Sequence, residues 1–127
     1  MVFMPRILLA DDRASMRNTL RNLLTLYGKL DVCGEATDGR QAVDAAVALK
    51  PDLVLLDYKM PNGDGIKAAS ELKQRLPETP VVIFTLYKTL ELESQALGAG
   101  VRAVVGKEEG VIKLLRTIED QLTSSLA

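Results

Sequence analysis

The segment Leu53-Val54-Leu55-Leu56-Asp57-Tyr58-Lys59-Met60-Pro61-Asn62-Gly63-Asp64-Gly65 passes from four consecutive aliphatic residues to an acid and then to a turn-rich stretch. A run this short and wholly apolar suits a strand covered on both faces, as in the middle of a parallel sheet. The Pro-Asn-Gly-Asp-Gly stretch reads as a loop carrying its own helix cap. Ile7-Leu8-Leu9-Ala10 and Val81-Val82-Ile83-Phe84 have the same continuous character, while Val32-Cys33-Gly34-Glu35-Ala36 and Ala103-Val104-Val105 are weaker strand signals. Between the strands, Met16, Leu20, Leu23, Leu24 and Tyr27 recur at helical spacing, as do Val43, Ala46 and Val47. Val111, Leu114, Leu115, Ile118 and Leu122 make a third stripe, and 65–76 and 89–97 are helical with weaker patterns. Five βα units in succession predict an α/β fold: a five-stranded parallel sheet with helices on both faces. Right-handed crossovers then carry the carboxyl ends of all five strands to one rim.

The chain has 127 residues, 47% of them hydrophobic and 26% charged, which suits one globular domain with a real core. Sixteen Lys and Arg against seventeen Asp and Glu leave a net charge of −1, so no basic surface argues for nucleic acid or an anionic membrane. The absence of histidine excludes Ser-His-Asp triads, Cys-His pairs and His-ligated zinc. The lone Cys33 cannot form an internal disulfide and is expected to be a buried small hydrophobe. No apolar run reaches membrane-spanning length, so a soluble cytoplasmic domain is expected. The tail Thr123-Ser124-Ser125-Leu126-Ala127 is small and polar, as in a fraying end or the start of a linker.

In an open α/β sheet, ligands bind outside the carboxyl ends of the strands. Asp11 and Asp12 follow the first predicted strand, Asp57 the third, Thr85 ends the fourth, and Lys107 follows the fifth. Singly, each has an ordinary explanation: an Asp caps a helix, Thr suits a strand, and a lone Lys is usually solvated. Together they differ, because three clustered carboxylates repel one another and one Lys cannot neutralise them. A hard divalent cation such as Mg²⁺, which prefers oxygen ligands, removes that repulsion. A carboxylate beside it can act as nucleophile toward phosphorus, with Lys107 and the Thr85 hydroxyl taking the phosphoryl oxygens.

These residues, in this order, resemble a response-regulator receiver domain over nearly the whole chain, about residues 6–122 of a single domain spanning 1–127. The resemblance rests on Asp11-Asp12, the strand ending at Asp57, the turn from Met60 to Gly65, Thr85 and Lys107. It implies a flavodoxin-like three-layer fold with strand order 2-1-3-4-5. It also implies Asp57 as phosphoacceptor, Mg²⁺ held by Asp12, Asp57 and the Lys59 backbone carbonyl with Asp11 acting mainly through water, Thr85 as switch hydroxyl and Lys107 as phosphate-binding lysine. The donor is then a sensor histidine kinase or phosphotransfer protein, since this chain has no histidine of its own. The resemblance leaves two arrangements open, a stand-alone receiver or one joined to a C-terminal helix-turn-helix DNA-binding domain outside this chain, and makes the face of the fourth helix, fifth strand and fifth helix, near Val104 and Val111, the place to look for a homodimer. The receiver itself is expected to be neither a conventional enzyme nor a direct DNA binder.

Departures from the family pattern bear on mechanism. Leu86 follows the switch Thr where a small residue is usual, and Val104 stands where an aromatic ring normally swings inward, with Tyr87 or Tyr58 as substitutes. Lys107 is followed by Glu108-Glu109-Gly110 rather than Pro, as in receivers joined to helix-turn-helix domains. Lys59, two residues after Asp57, is a long cation at the mouth of the site. Leu86 and Val104 motivate an alternative: a pseudo-receiver acting as a phosphorylation-independent interaction module. An aspartyl phosphatase is discounted because Lys59 occupies the place of its second Asp. A nucleotide-binding domain is discounted because the first loop is Asp-Asp-Arg rather than Gly-rich.

Overall fold

The computed structural model describes residues 4–60 and 65–126. Its elements are β1 (Arg6–Ala10), α1 (Ala14–Leu26), β2 (Asp31–Ala36), α2 (Gly39–Leu49), β3 (Leu53–Leu56), α3 (Gly65–Arg75), β4 (Val81–Thr85), α4 (Leu90–Gly98), β5 (Ala103–Gly106) and α5 (Val111–Leu126). A single 3₁₀ turn, Lys107–Glu109, joins β5 to α5. The strands are all parallel, in the order β2-β1-β3-β4-β5. The loop cap expected between Met60 and Gly65 lies outside the described residues.

Strand periodicity sorts the core into two layers. Leu8, Ala10, Val54, Leu56, Ile83 and Val104 face α2, α3 and α4, where small residues such as Ala42, Ala46, Ala68 and Ala96 let the helices lie close. Ile7, Leu9, Leu53, Leu55, Phe84 and Val105 face α1 and α5 and pack on Leu20, Leu24, Leu114, Ile118 and Leu122. Burying a side chain of this size contributes about 1.5–3 kcal/mol, so the central strands hold the frame that positions the rim.

Caps begin two of the helices. The Asp38 carboxylate accepts the Gln41 N–H at 2.8 Å, and the Gln41 side chain reaches back to the Thr37 N–H at 3.0 Å. The Thr89 hydroxyl accepts the Leu92 N–H at 3.0 Å at the start of α4. Lys50, at φ 49°, ends α2 in the left-handed region just before Pro51.

Several expectations need correction. Cys33 is only half-buried: the β1–β2 register steps from Ile7 opposite Val32 to Leu8 opposite Gly34, leaving Cys33 at the irregularity. Tyr27 caps the end of α1 and is exposed instead of completing its apolar stripe. The small polar residues of the tail are helical, α5 continuing to Leu126. Val104 is 6% exposed and packs inside the core.

Candidate functional site

The loops that follow β1, β3, β4 and β5 build one end of the sheet. Asp11 stays on the sheet through its N–H bond to Ala36 O at 3.1 Å, and Asp57 stays on it through its bond to Ala10 O at 2.8 Å. The ladder thus sets the two acids at the ends of neighbouring strands. Asp11, Asp12 and Asp57 each bring a carboxylate oxygen within 4.8 Å of the others. Asp11 and Asp57 are buried and Asp12 is exposed. Lys107 Nζ reaches in from the opposite side, 3.4 Å from Asp11 and 4.0 Å from Asp57. The helix-capping alternative for Asp11 holds only locally: its second oxygen accepts the Arg13 N–H at 2.9 Å, a turn bond just ahead of α1.

Burial pushes the Asp57 carboxyl above its ordinary range. Lys107 pulls it back, Asp11 pushes it up again, the Tyr58 N–H lowers it, and Asp12 adds a smaller push. One ammonium facing three carboxylates leaves negative charge uncompensated. An all-oxygen acidic cluster with that residual charge fits a hard divalent cation.

Thr85 is fully buried, and its hydroxyl accepts the Tyr87 N–H at 3.1 Å. Leu86 and Tyr87 project outward, 55% and 50% exposed. Lys59 Nζ lies 4.7 Å from the centroid of the Tyr87 ring, a cation–π contact that ties the loop after β3 to the loop after β4. Tyr87 is therefore engaged at the surface. The other proposed substitute, Tyr58, packs partly buried against the α2–α4 side of the core.

Three residues not singled out for the site from sequence shape it. Gly65 donates its N–H to Tyr58 O at 2.7 Å, and a Cβ there would lie 2.6 Å from Asp57 O and 3.0 Å from Tyr58 Cα. Only glycine lets α3 start this close to the backbone of the loop carrying Asp57. Arg17 donates to Asp11 O at 2.8 Å and to Glu35 at 2.8 Å, while Arg21 holds the other Glu35 oxygen at 2.6 Å. Glu109 closes the turn that bears Lys107, accepting the Gly106 N–H at 2.7 Å. With glycine at 106 there is no side-chain cap to complete a capping box, so this bond has no sequence signature, and the contacts of Gly65 and Arg17 depend on tertiary approach.

A parallel sheet in the order 2-1-3-4-5, here with an acidic cluster and a lysine at its carboxyl rim, defines a flavodoxin-like α/β domain. The sequence model of the family described as response regulator receiver domain matches residues 7–119, and the chain belongs to that family. It is 40% identical over 114 residues to the transcriptional regulatory protein PdtaR of Mycobacterium tuberculosis, covering 90% of this chain and 55% of that protein. It is 36% identical over 112 residues to the uncharacterized transcriptional regulatory protein YhcZ of Bacillus subtilis, covering 88% and 52%. The chain thus spans about half the length of these curated relatives. Among solved structures, the receiver domain of the response regulator NarL from Mycobacterium tuberculosis superposes with a TM-score of 0.89 at 29% identity, covering 96% of this chain and 98% of that one. A LuxR-family response regulator from Aurantimonas sp. superposes with a TM-score of 0.92 at 28% identity, covering 96% and 87%. Receiver domains bind Mg²⁺ at an acidic pocket, and the Asp11, Asp12 and Asp57 group has that character. No helix among the described residues is long and apolar enough to cross a membrane.

Proposed function

We propose that the chain is a phosphorylation-controlled switch in which Asp57 accepts a phosphoryl group from a phosphohistidine on a separate sensor kinase or phosphotransfer protein. The observation that carries this is the convergence of a buried Asp57 with the Asp11 and Asp12 carboxylates and the Lys107 ammonium at one rim. Asp12, Asp57 and the Lys59 carbonyl would hold Mg²⁺, with Asp11 acting through water; the ion, when bound, supplies positive charge to the phosphoryl oxygens. An Asp57 oxygen attacks phosphorus, the bond from phosphorus to the donor imidazole nitrogen breaks, and that nitrogen keeps the electron pair and takes up a proton. Lys107 neutralises charge on the transferred group and so favours the product.

Thr85 supplies the readout. Its hydroxyl accepts from the Tyr87 N–H, and a swing of the whole side chain that carries the hydroxyl oxygen toward a phosphoryl group would make it a donor there. That swing would release the Tyr87 amide and shift the 86–89 loop and α4, whose Leu90 and Leu97 stand exposed. Those residues, with Ile112 on α5, are the surface offered to a second receiver or to an output domain controlling transcription. A phosphorylation-independent interaction module is the second reading; it draws on the same exposed residues and on Val104, an aliphatic residue locked in the core. Intact mass after incubation with acetyl phosphate separates the two. One phosphoryl adduct, dependent on Mg²⁺ and absent from Asp57→Ala, is the expected result. No adduct from acetyl phosphate or from any phosphorylated kinase favours the interaction module.

A further inference from the structure

Lys107 leaves β5 in a single 3₁₀ turn, and Glu109 closes that turn. Its Oε2 accepts the Gly106 N–H at 2.7 Å. Gly106 is the last ladder residue of β5 and sits opposite Thr85 on β4. The same carboxylate takes both of its oxygens to Lys88 Nζ, at 3.2 and 3.1 Å, and Lys88 lies three residues beyond Thr85. Glu93 on α4 stands 3.6 Å from that ammonium. One carboxylate therefore joins the turn that starts with Lys107 to the loop that starts with Thr85.

The two contacts differ in kind. A half-exposed lysine pair contributes little by itself. The bond to the Gly106 amide is charge-assisted and belongs to the strand end, where a lost acceptor would leave a backbone donor unpartnered. Consistent with this, the Glu109 carboxyl is held below its ordinary range, first by the Gly106 N–H and then by Lys88. Glu108 folds back as well, its carboxylate filling the space a Cβ on Gly106 would need. After Glu109, Gly110 turns the chain into α5 at φ 94°, a region that favours glycine.

Lys107 must present a buried ammonium 3.4 Å from Asp11 and 4.0 Å from Asp57 from the first residue of an irregular turn. We propose that Glu109 is the positioning residue for Lys107: by fastening the Gly106 amide it holds the lysine at the phosphoacceptor, and through Lys88 it links that turn to the Thr85 loop. This rests on Asp57 being the acceptor. Glu109 touches no reacting group itself.

Three variants separate the contacts. Glu109→Ala removes both, Glu109→Gln keeps an acceptor for Gly106 while losing the charge for Lys88, and Lys88→Met removes only the link between loops. The rate of adduct formation is measured against acetyl phosphate concentration at saturating Mg²⁺. Because Lys107 engages the phosphoryl oxygens most strongly as they are transferred, displacing it should lower the maximal rate of Glu109→Ala about tenfold, with a smaller rise in the half-saturating concentration. Glu109→Gln should recover most of that loss, and Lys88→Met should stay within about threefold of wild type. Amide spectra are recorded alongside, without donor or metal. In Glu109→Ala the Gly106 amide should move upfield, with changes extending to Thr85 and Lys88. A wild-type rate in Glu109→Ala overturns the proposal, and so does a Gln variant as slow as the Ala one. If the wild type takes no phosphoryl group, the assignment of Asp57 fails separately. The amide spectra then decide for Glu109: changes confined to 107–110 overturn the coupling, and changes reaching Thr85 support it.

Discussion

Replacing Asp57 by Asn removes one charge from the acidic rim while nearly conserving the side chain's volume. In the metal-free protein at neutral pH this should raise stability, and its size follows from the neighbours. Asp11, within 4.8 Å and buried, repels Asp57 by about 3.5 kcal/mol at an effective dielectric constant of about 20. Asp12 is exposed, so its repulsion is nearer the roughly 1 kcal/mol of a pair in water. Lys107, 4.0 Å away, returns about 4 kcal/mol of attraction. These nearly cancel, and what survives is the desolvation of a carboxylate only 7% exposed. Allowing for the amide's own unmet hydrogen bonds, the gain is about 2 kcal/mol. Unfolding 127 residues at about 2.1 cal/mol/K each converts that into a rise of about 7 °C in Tm. The raised folded-state pKa of Asp57 sets the pH dependence. The folded protein binds that proton more tightly than the unfolded chain, so the contribution of Asp57 to stability is present below the unfolded value near 4 and is lost as pH rises through the folded value. The variant's advantage should therefore be full at pH 7 and vanish by about pH 3.5. Saturating Mg²⁺ should shrink it, because the wild type regains the counter-charge and the variant has lost a ligand. Thermal melts over a pH series measure all of this. An Asp57→Asn protein no more stable than wild type at pH 7 without metal, or a gain undiminished at pH 3.5, would refute the reasoning.

Other outcomes test the frame around the site. Gly65→Ala forces a Cβ against the Asp57–Tyr58 backbone and should cost about 1–3 kcal/mol, seen as a lower Tm together with slower phosphoryl labelling. Asp38→Ala removes the α2 cap and should cost about 1 kcal/mol in denaturant unfolding while leaving the labelling rate at the wild-type value. Leu86→Ala, at an exposed position, should change stability by less than about 0.5 kcal/mol and speed labelling by acetyl phosphate, because it widens access beside Thr85.

The layered sheet and the rim are legible in the sequence because both follow from local signals. Three continuously apolar runs set β1, β3 and β4 on the inside, and crossover handedness then brings Asp11, Asp57, Thr85 and Lys107 to one end whatever their separation in sequence. What escapes is governed by distant approach. Gly65 is one of several loop glycines until α3 is seen against the Asp57 carbonyl. Cys33 reads as a core residue because a β-irregularity has no apolar signature. Tyr27 fits the spacing of the α1 stripe, yet the helix ends at Leu26 and its ring turns outward. Lys59 and Tyr87 lie far apart in the chain, and their contact depends on how two loops fold over one mouth. Glu109 belongs with them: neither its bond to the Gly106 amide nor its hold on Lys88 has a sequence signature.

Chemical mapping of the acyl phosphate bears most directly on Asp57 as phosphoacceptor. After incubation with acetyl phosphate and Mg²⁺, borohydride reduction converts a phosphorylated aspartate to homoserine, and peptide mass spectrometry locates it. Homoserine at position 57 alone, and none when Mg²⁺ is withheld, is the predicted result. Homoserine at position 11 or 12, or at no position despite active donor, would contradict it.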